Sequence, residues 1–249
     1  MSALEQAIKA KKFNGHLGIG HTRWATHGAP TILNAHPHFD CQEKIFVAHN
    51  GIIENHRELR IFLTARGHKL KSQTDTEVLP HLIEDFLTKG KDFKPALVEA
   101  LKMIKGAYAL VIINANNPKI LYATKISSPL VIGVGENENF LASDPSALVG
   151  KTKKIVYLND GELAEISEDK IVITNAQAEP TTPEITKLEW NLEQAQKGDY
   201  SYFMLKEIVE GPEVVRAALR GRLKIKELLV KLGGLEVVAK ELSKIKRLI

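Results

Sequence analysis

Between residues 107 and 173 the chain breaks into seven short β-rich runs: Ala107 to Ile113, Ile120 to Thr124, Leu130 to Val134, Phe140 to Ala142, Ile155 to Leu158, Glu162 to Ile166 and Lys170 to Ile173. Gly, Asn and Pro separate most of them. A parallel pair needs a crossover of about a dozen residues or more, usually a helix, and most connectors here are far shorter. The region is therefore expected to be largely antiparallel.

Upstream the periodicity changes. Ala3 to Lys11 has helix-forming composition, His16 to His21 reads as a strand, Thr22 to Pro30 as a polar loop, and Ile45 to His49 as a second strand. Asn55 to Arg66 has helical spacing and stops before Gly67, a left-handed cap. Thr74 to Leu87 follows, with Thr74 and Glu77 spaced as a capping box and Gly90 at its end. Phe93 to Ile104 completes the set. Downstream, Glu179 to Pro183 is a break, and Tyr202 to Leu219 is helical with Gly211-Pro212 as a kink or boundary. Leu223 to Ile249, rich in Lys, Leu and Val, reads as an amphipathic linker and helix, the alternative being a basic membrane-surface helix. Helices, then strands, then helices again indicate an α+β layered fold.

With 249 residues, 44% of them hydrophobic, the chain is long enough to bury a sizeable core. Its 34 basic and 30 acidic residues leave a net charge of +4, too weak a field to imply nucleic-acid binding. Cys41 is the single cysteine, so no intrachain disulfide exists and a cytoplasmic setting is the simpler expectation. No signal-like start and no run of about 18 apolar residues is present, so neither export nor membrane insertion is expected.

Three polar clusters carry the chemistry. His21-Thr22-Arg23-Trp24-Ala25-Thr26-His27-Gly28 runs from a strand end into a loop; it is either a hydrogen-bonded surface loop or a carboxylate clasp, because the Arg fork donates two parallel hydrogen bonds. His49-Asn50-Gly51-Ile52-Ile53-Glu54-Asn55 follows a strand. Asn-Gly is a tight turn, or an oxyanion hole in which the Asn amide and the Gly N–H donate to a carbonyl oxygen as it becomes negative. In Ser72-Gln73-Thr74-Asp75-Thr76-Glu77, Asp75 is a helix-start residue, an anion for a ligand ammonium, or both.

Other readings fare worse. His36-x-His38 offers zinc ligands, but there is no His-Glu-x-x-His, no paired cysteines and no placed carboxylate set, so no metal is expected. Gly18-x-Gly20 lacks the third glycine of a nucleotide-binding turn.

The three clusters, with Asn34-Ala35-His36-Pro37-His38, Lys105-Gly106-Ala107-Tyr108, Ser127-Ser128-Pro129-Leu130-Val131-Ile132-Gly133, Ala142-Ser143-Asp144 and Met204-Leu205-Lys206-Glu207-Ile208, resemble the class II glutamine amidotransferases. Within them the likeness is to the glutaminase domain of glutamine:fructose-6-phosphate aminotransferases. It implies an αββα four-layer sandwich of the amino-terminal nucleophile hydrolase type, with residues 1–222 as a glutaminase domain and 223–249 as a linker. Arg23 is then expected to bind the glutamine carboxylate and Asp75 its ammonium. Thr26 and His27 belong to the closing loop, Trp24 gates ammonia, and Asn50 with Gly51 forms the oxyanion hole.

The resemblance further implies no cofactor, fructose 6-phosphate as acceptor in a separate sugar-isomerase domain, and a homo-oligomeric parent enzyme. The chain departs from the family in two places. Nothing matches the processed amino-terminal cysteine, whose own α-amine activates it. The first strands that carry it are expected to be absent, leaving Cys41 as an inert thiol and this chain without turnover. Glu210-Gly211-Pro212 also stands where a Gln-Pro pair is usual. The other reading is a glutamine-binding module without catalysis.

Overall fold

Residues of the strand Tyr108–Asn114 alternate strictly between two cores. Tyr108, Leu110 and Ile112 pack against helices, while Ala109, Val111 and Ile113 face a second sheet. A strand buried on both faces reads as the continuous apolar run seen in the sequence. In the computed structural model, residues 2–9, 14–24, 28–188, 198, 200–219, 223–224 and 229–230 are described. The chain divides into two compact units, Met1–Trp190 and Asn191–Ile249.

In the first unit, α1 (Ser2–Lys9) precedes β1 (His38–Phe39), β2 (Ile45–Gly51), α2 (His56–Ala65), α3 (Val78–Thr88) and α4 (Phe93–Met103). Then come β3 (Tyr108–Asn114), β4 (Leu121–Ile126), β5 (Val131–Val134), β6 (Asn139–Ala142), β7 (Lys154–Tyr157), β8 (Leu163–Ile166), β9 (Ile171–Thr174), β10 (Pro180–Thr181) and β11 (Ile185–Lys187). Seven strands form one sheet in the order β1-β2-β3-β4-β8-β9-β10, and four form another in the order β11-β7-β5-β6. Every pairing between these strands is antiparallel, as the short connectors require. Helices α2, α3 and α4 cover the outer face of the larger sheet, and the two sheets close on each other around Ala123, Ile132, Val156 and Ala164. Of the αββα four-layer sandwich that the resemblance implies, the described residues of this unit lay out helix, sheet and sheet.

Several local expectations shift. His16 to His21 forms no strand: it carries no regular secondary structure and has a bend at His16. Leu17 and Ile19 still pack on the inter-sheet core, so the alternation recorded side-chain burial without a ladder. Helix α3 begins at Val78, not at Thr74, and has no side-chain cap. The polar residues ahead of it are engaged elsewhere: Glu77 accepts from the backbone N–H groups of Lys71 and Ser72 at 2.7 Å. Pro180 lies in a short strand at the sheet's end, where its missing N–H costs no ladder bond.

In the second unit, α5 (Phe203–Leu219) continues through Pro212. Leu223–Lys224 and Leu229–Val230 pair as β12 and β13, within the stretch read as an amphipathic linker and helix. The rest of 223–249 lies outside the described residues. Among the described residues no helix is long and apolar enough to cross a membrane.

Candidate active site

Strand β2 ends at Asn50 and Gly51, and its pairing with β3 determines where their polar groups point. The two strands are in register from Ile45↔Asn114 to Gly51↔Tyr108. Backbone bonds from Ala115 N–H to Lys44 O (2.7 Å) and from Ile52 N–H to Ala107 O (2.9 Å) put the hydrogen-bonded pairs on even-numbered residues of β2. Gly51 is therefore in a non-hydrogen-bonded pair, with its N–H directed away from β3. Its φ of +122° is a conformation that side chains rarely adopt. A Cβ there would stand 2.1 Å from Ala107 O. Only glycine fits.

The Asn50 amide is oriented from outside the strand. Arg23 N–H donates to His21 Nδ1 at 2.9 Å, so the ring proton sits on Nε2, which donates to Asn50 Oδ1 at 2.7 Å. With Oδ1 engaged, the donor end of the amide is the one available to a ligand.

These groups line a cleft of about 140 Å³ with His21, Arg23, Trp24, His36, His49, Thr74, Asp75 and Thr76. Arg23, itself at φ +30°, is held by its own loop: its guanidinium donates to Ala29 O (3.0 Å) and Gly28 O (3.1 Å). Trp24 is 91% exposed at the rim. Asp75 is buried, and its Oδ2 accepts the Ile53 N–H at 2.7 Å. It is not a helix cap. Thr26 and His27, expected in the closing loop, lie outside the described residues.

Beneath the cleft, imidazoles and hydroxyls interlock. His36 Nδ1 accepts the His49 N–H at 3.2 Å, and His49 Nδ1 is 2.9 Å from Thr76 Oγ1. His38 Nε2 is 2.9 Å from Thr74 Oγ1. Burial, reinforced by the neighbouring His21, lowers His36 to a pKa of about 3. Burial likewise brings His38 and His49 to about 4, against the pull of nearby carboxylates. All three are neutral at physiological pH, so these rings add no charge to the cleft. Glu77 stays charged instead: although burial opposes it, the nearby His81 ring and hydrogen bonds from Lys71 and Ser72 hold it ionised down to a pKa of about 2.

The structure thus gathers five of the seven sequence candidates, Arg23, Trp24, Asn50, Gly51 and Asp75, at one cleft. Sequence reasoning missed the role of His21 as the group that orients Asn50. The two are 29 residues apart and no local pattern joins them. Cys41 is not among the cleft residues; its sulfur faces His68 and His81.

Residues 22–150 match the family described as glutamine amidotransferase domain. The chain is 48% identical over 233 residues to the glutamine–fructose-6-phosphate aminotransferase [isomerizing] of Thermus thermophilus, covering 94% of this chain and 38% of that protein. It is also 48% identical over 239 residues to the enzyme of the same name from Pyrococcus horikoshii, covering 92% and 40%. Among solved structures, the glutamine phosphoribosylpyrophosphate amidotransferase of B. subtilis is similar with a TM-score of 0.49 and 25% identity, over 69% of this chain and 34% of that one. The chain therefore spans about 38–40% of the length of these curated relatives. On the match across more than half of its residues, the chain belongs to the class II glutamine amidotransferase domain family.

Proposed function

We propose that this chain is the glutamine-handling part of a glutamine–fructose-6-phosphate aminotransferase. The observation that carries this reading is the convergence of a pre-oriented Asn50 amide, an outward Gly51 N–H, Arg23 and Asp75 on one cleft. Arg23 takes the α-carboxylate of glutamine as a two-pronged donor. Asp75 takes the ammonium while its Oδ2 stays on the Ile53 N–H. The side-chain carbonyl then lies toward Asn50 and Gly51, whose donors stabilise the oxygen as it becomes an oxyanion. Trp24 at the rim gates ammonia, and Thr26 with His27 belongs to the closing loop.

Amide hydrolysis also needs a nucleophile with a nearby base. Cys41 is the single thiol of the sequence. Its amine is tied in a peptide bond, and its sulfur lies 3.5 Å from His81 Nδ1. We therefore assign Cys41 no part in ammonia release, which calls for a cysteine whose own free amine activates it. The released ammonia is passed to fructose 6-phosphate in a sugar-isomerase domain, with residues 223–249 as the lead-in. A metabolic role of this kind places the protein in the cytoplasm.

Titration calorimetry with glutamine tests the reading. Binding lost in Arg23→Ala and kept in Cys41→Ala supports it; no binding by the folded chain overturns it. An ammonia-release assay on the same samples separates binding from turnover, and a covalent adduct of a glutamine-mimicking electrophile on Cys41 would restore Cys41 as nucleophile.

A further inference from the structure

Away from the cleft, three separate segments bring four metal-ligating side chains to one point. Cys41 sits in the turn between β1 and β2, His68 follows Gly67 at the end of α2, and His81 and Glu84 share one face of α3 at i and i+3. Their ligand atoms all lie within 4.8 Å of one another. Cys41 Sγ is 3.5 Å from His81 Nδ1 and 3.8 Å from His68 Nδ1. The two Nδ1 atoms are 3.3 Å apart. Glu84 Oε2 is 3.0 Å from His68 Nδ1 and 3.4 Å from His81 Nδ1.

Five of the six separations lie within about 0.4 Å of the edges of a tetrahedron around a zinc ion, and the sixth, from Cys41 Sγ to the Glu84 carboxylate, is within 4.8 Å. With Zn–S of about 2.3 Å and Zn–N or Zn–O of about 2.0–2.1 Å, tetrahedral angles put sulfur about 3.6 Å from each nitrogen. The same angles put nitrogen and oxygen ligands about 3.3–3.4 Å from one another. Both rings also turn their Nδ1 atoms to the same point, although only one of two facing imidazole nitrogens can donate to the other.

The surroundings fit an ion as well. Metal-bound histidines commonly direct their other ring nitrogen to a carboxylate, which fixes ring orientation. Here His68 Nε2 is 3.7 Å from Asp85 Oδ1, and His81 Nε2 is 3.9 Å from Glu77 Oε1. Glu84 Oε2 is further held by the Cys41 backbone N–H at 3.1 Å. The side chains of His68, His81 and Glu84 are at most 8% exposed, so the centre is closed on three sides. One thiolate and one carboxylate also balance a divalent charge.

We propose that Cys41, His68, His81 and Glu84 form a structural zinc site, independent of glutamine chemistry. Four protein ligands leave no open position, the arrangement of a structural rather than a catalytic centre. The mixed sulfur, nitrogen and oxygen set suits zinc over the hard cations magnesium and calcium. The ion ties the β1–β2 turn to α3, and thereby steadies the strand that ends in Asn50 and Gly51 against the segment that carries Asp75.

The test uses the full chain, loaded with Zn²⁺ and dialysed against metal-free buffer, followed by elemental analysis. About one retained zinc per chain is expected for a structural site. The Co²⁺-substituted chain is expected to show a thiolate-to-cobalt charge-transfer band in the near ultraviolet. Cys41 is exposed, so Cys41→Ser should fold; circular dichroism checks this. That variant is expected to lose the band and to bind zinc more than about 100-fold more weakly, beyond the 10–100-fold typical for removing an outer-shell partner. A folded chain that retains no zinc, a cobalt spectrum without the sulfur band, or unchanged affinity in Cys41→Ser overturns the site and leaves a hydrogen-bonded cluster.

Discussion

His21 Nε2 donates to Asn50 Oδ1 across 2.7 Å, and the Arg23 N–H on the other ring nitrogen fixes which tautomer does so. One imidazole therefore decides which end of the Asn50 amide a ligand meets.

In a form of the protein that carries the amino-terminal cysteine, Asn50→Ala is expected to lower glutaminase kcat about 100- to 1,000-fold, the usual effect of removing one oxyanion donor. His21→Ala leaves the donor in place but frees the amide to rotate. Its kcat should fall by only about 2- to 10-fold, the equivalent of one ordinary hydrogen bond. Steady-state kinetics check both, and a His21→Ala loss as deep as that of Asn50→Ala would show that the ring does more than orient the amide.

Gly51→Ala is expected to destabilise the fold. The new Cβ would meet Ala107 O at 2.1 Å, and the φ of +122° is unfavourable for any side chain. Strain at such a backbone position costs about 1–3 kcal/mol before the clash is counted. Urea unfolding should show a lower midpoint with unchanged slope. A wild-type midpoint would mean that the β2 end relaxes freely.

Asp75 has separable structural and charge roles. Asp75→Ala strands the buried Ile53 N–H and should cost about 1–3 kcal/mol of stability. Asp75→Asn keeps an acceptor for that N–H but removes the charge. Its stability should stay close to wild type while glutamine affinity falls, as read by calorimetry beside urea melts.

Stability should decline on mild acidification. The depressed pKa values of His36 (about 3), His38 (about 4) and His49 (about 4) lie below the ordinary value of 6.5, so between these limits the unfolded chain binds more protons than the folded one. Stability then rises with pH across that window. It is fully present above about 6.5 and is lost as pH falls towards 4 and below. Glu77 adds a second loss between its ordinary 4.5 and about 2. Urea melts from pH 7 to pH 4 should show falling midpoints. Histidine NMR that finds these rings protonated at pH 6 would contradict the burial argument.

Much of the sandwich was legible in the sequence because it is a local matter. Alternation in Ala107 to Ile113 reports a strand between two cores, and Gly67 and Gly90, at φ +90° and +81°, end their helices as read. The clusters around Arg23, Asn50 and Asp75 were visible for the same reason: residue types with the right donors and charges stand together along the chain.

What the sequence could not decide is which distant group each polar atom meets. Asp75 looked like a helix cap until folding placed Ile53, 22 residues away, against its carboxylate. His16 to His21 carried a strand's alternation but forms no strand. Cys41, His68 and His81 are separated by 27 and 13 residues, a spacing no zinc motif announces. Side-chain periodicity follows from local backbone geometry and is written into composition and order. Hydrogen-bond partners and ligand constellations depend on long-range packing, and that exists only once the sheets and helices have closed.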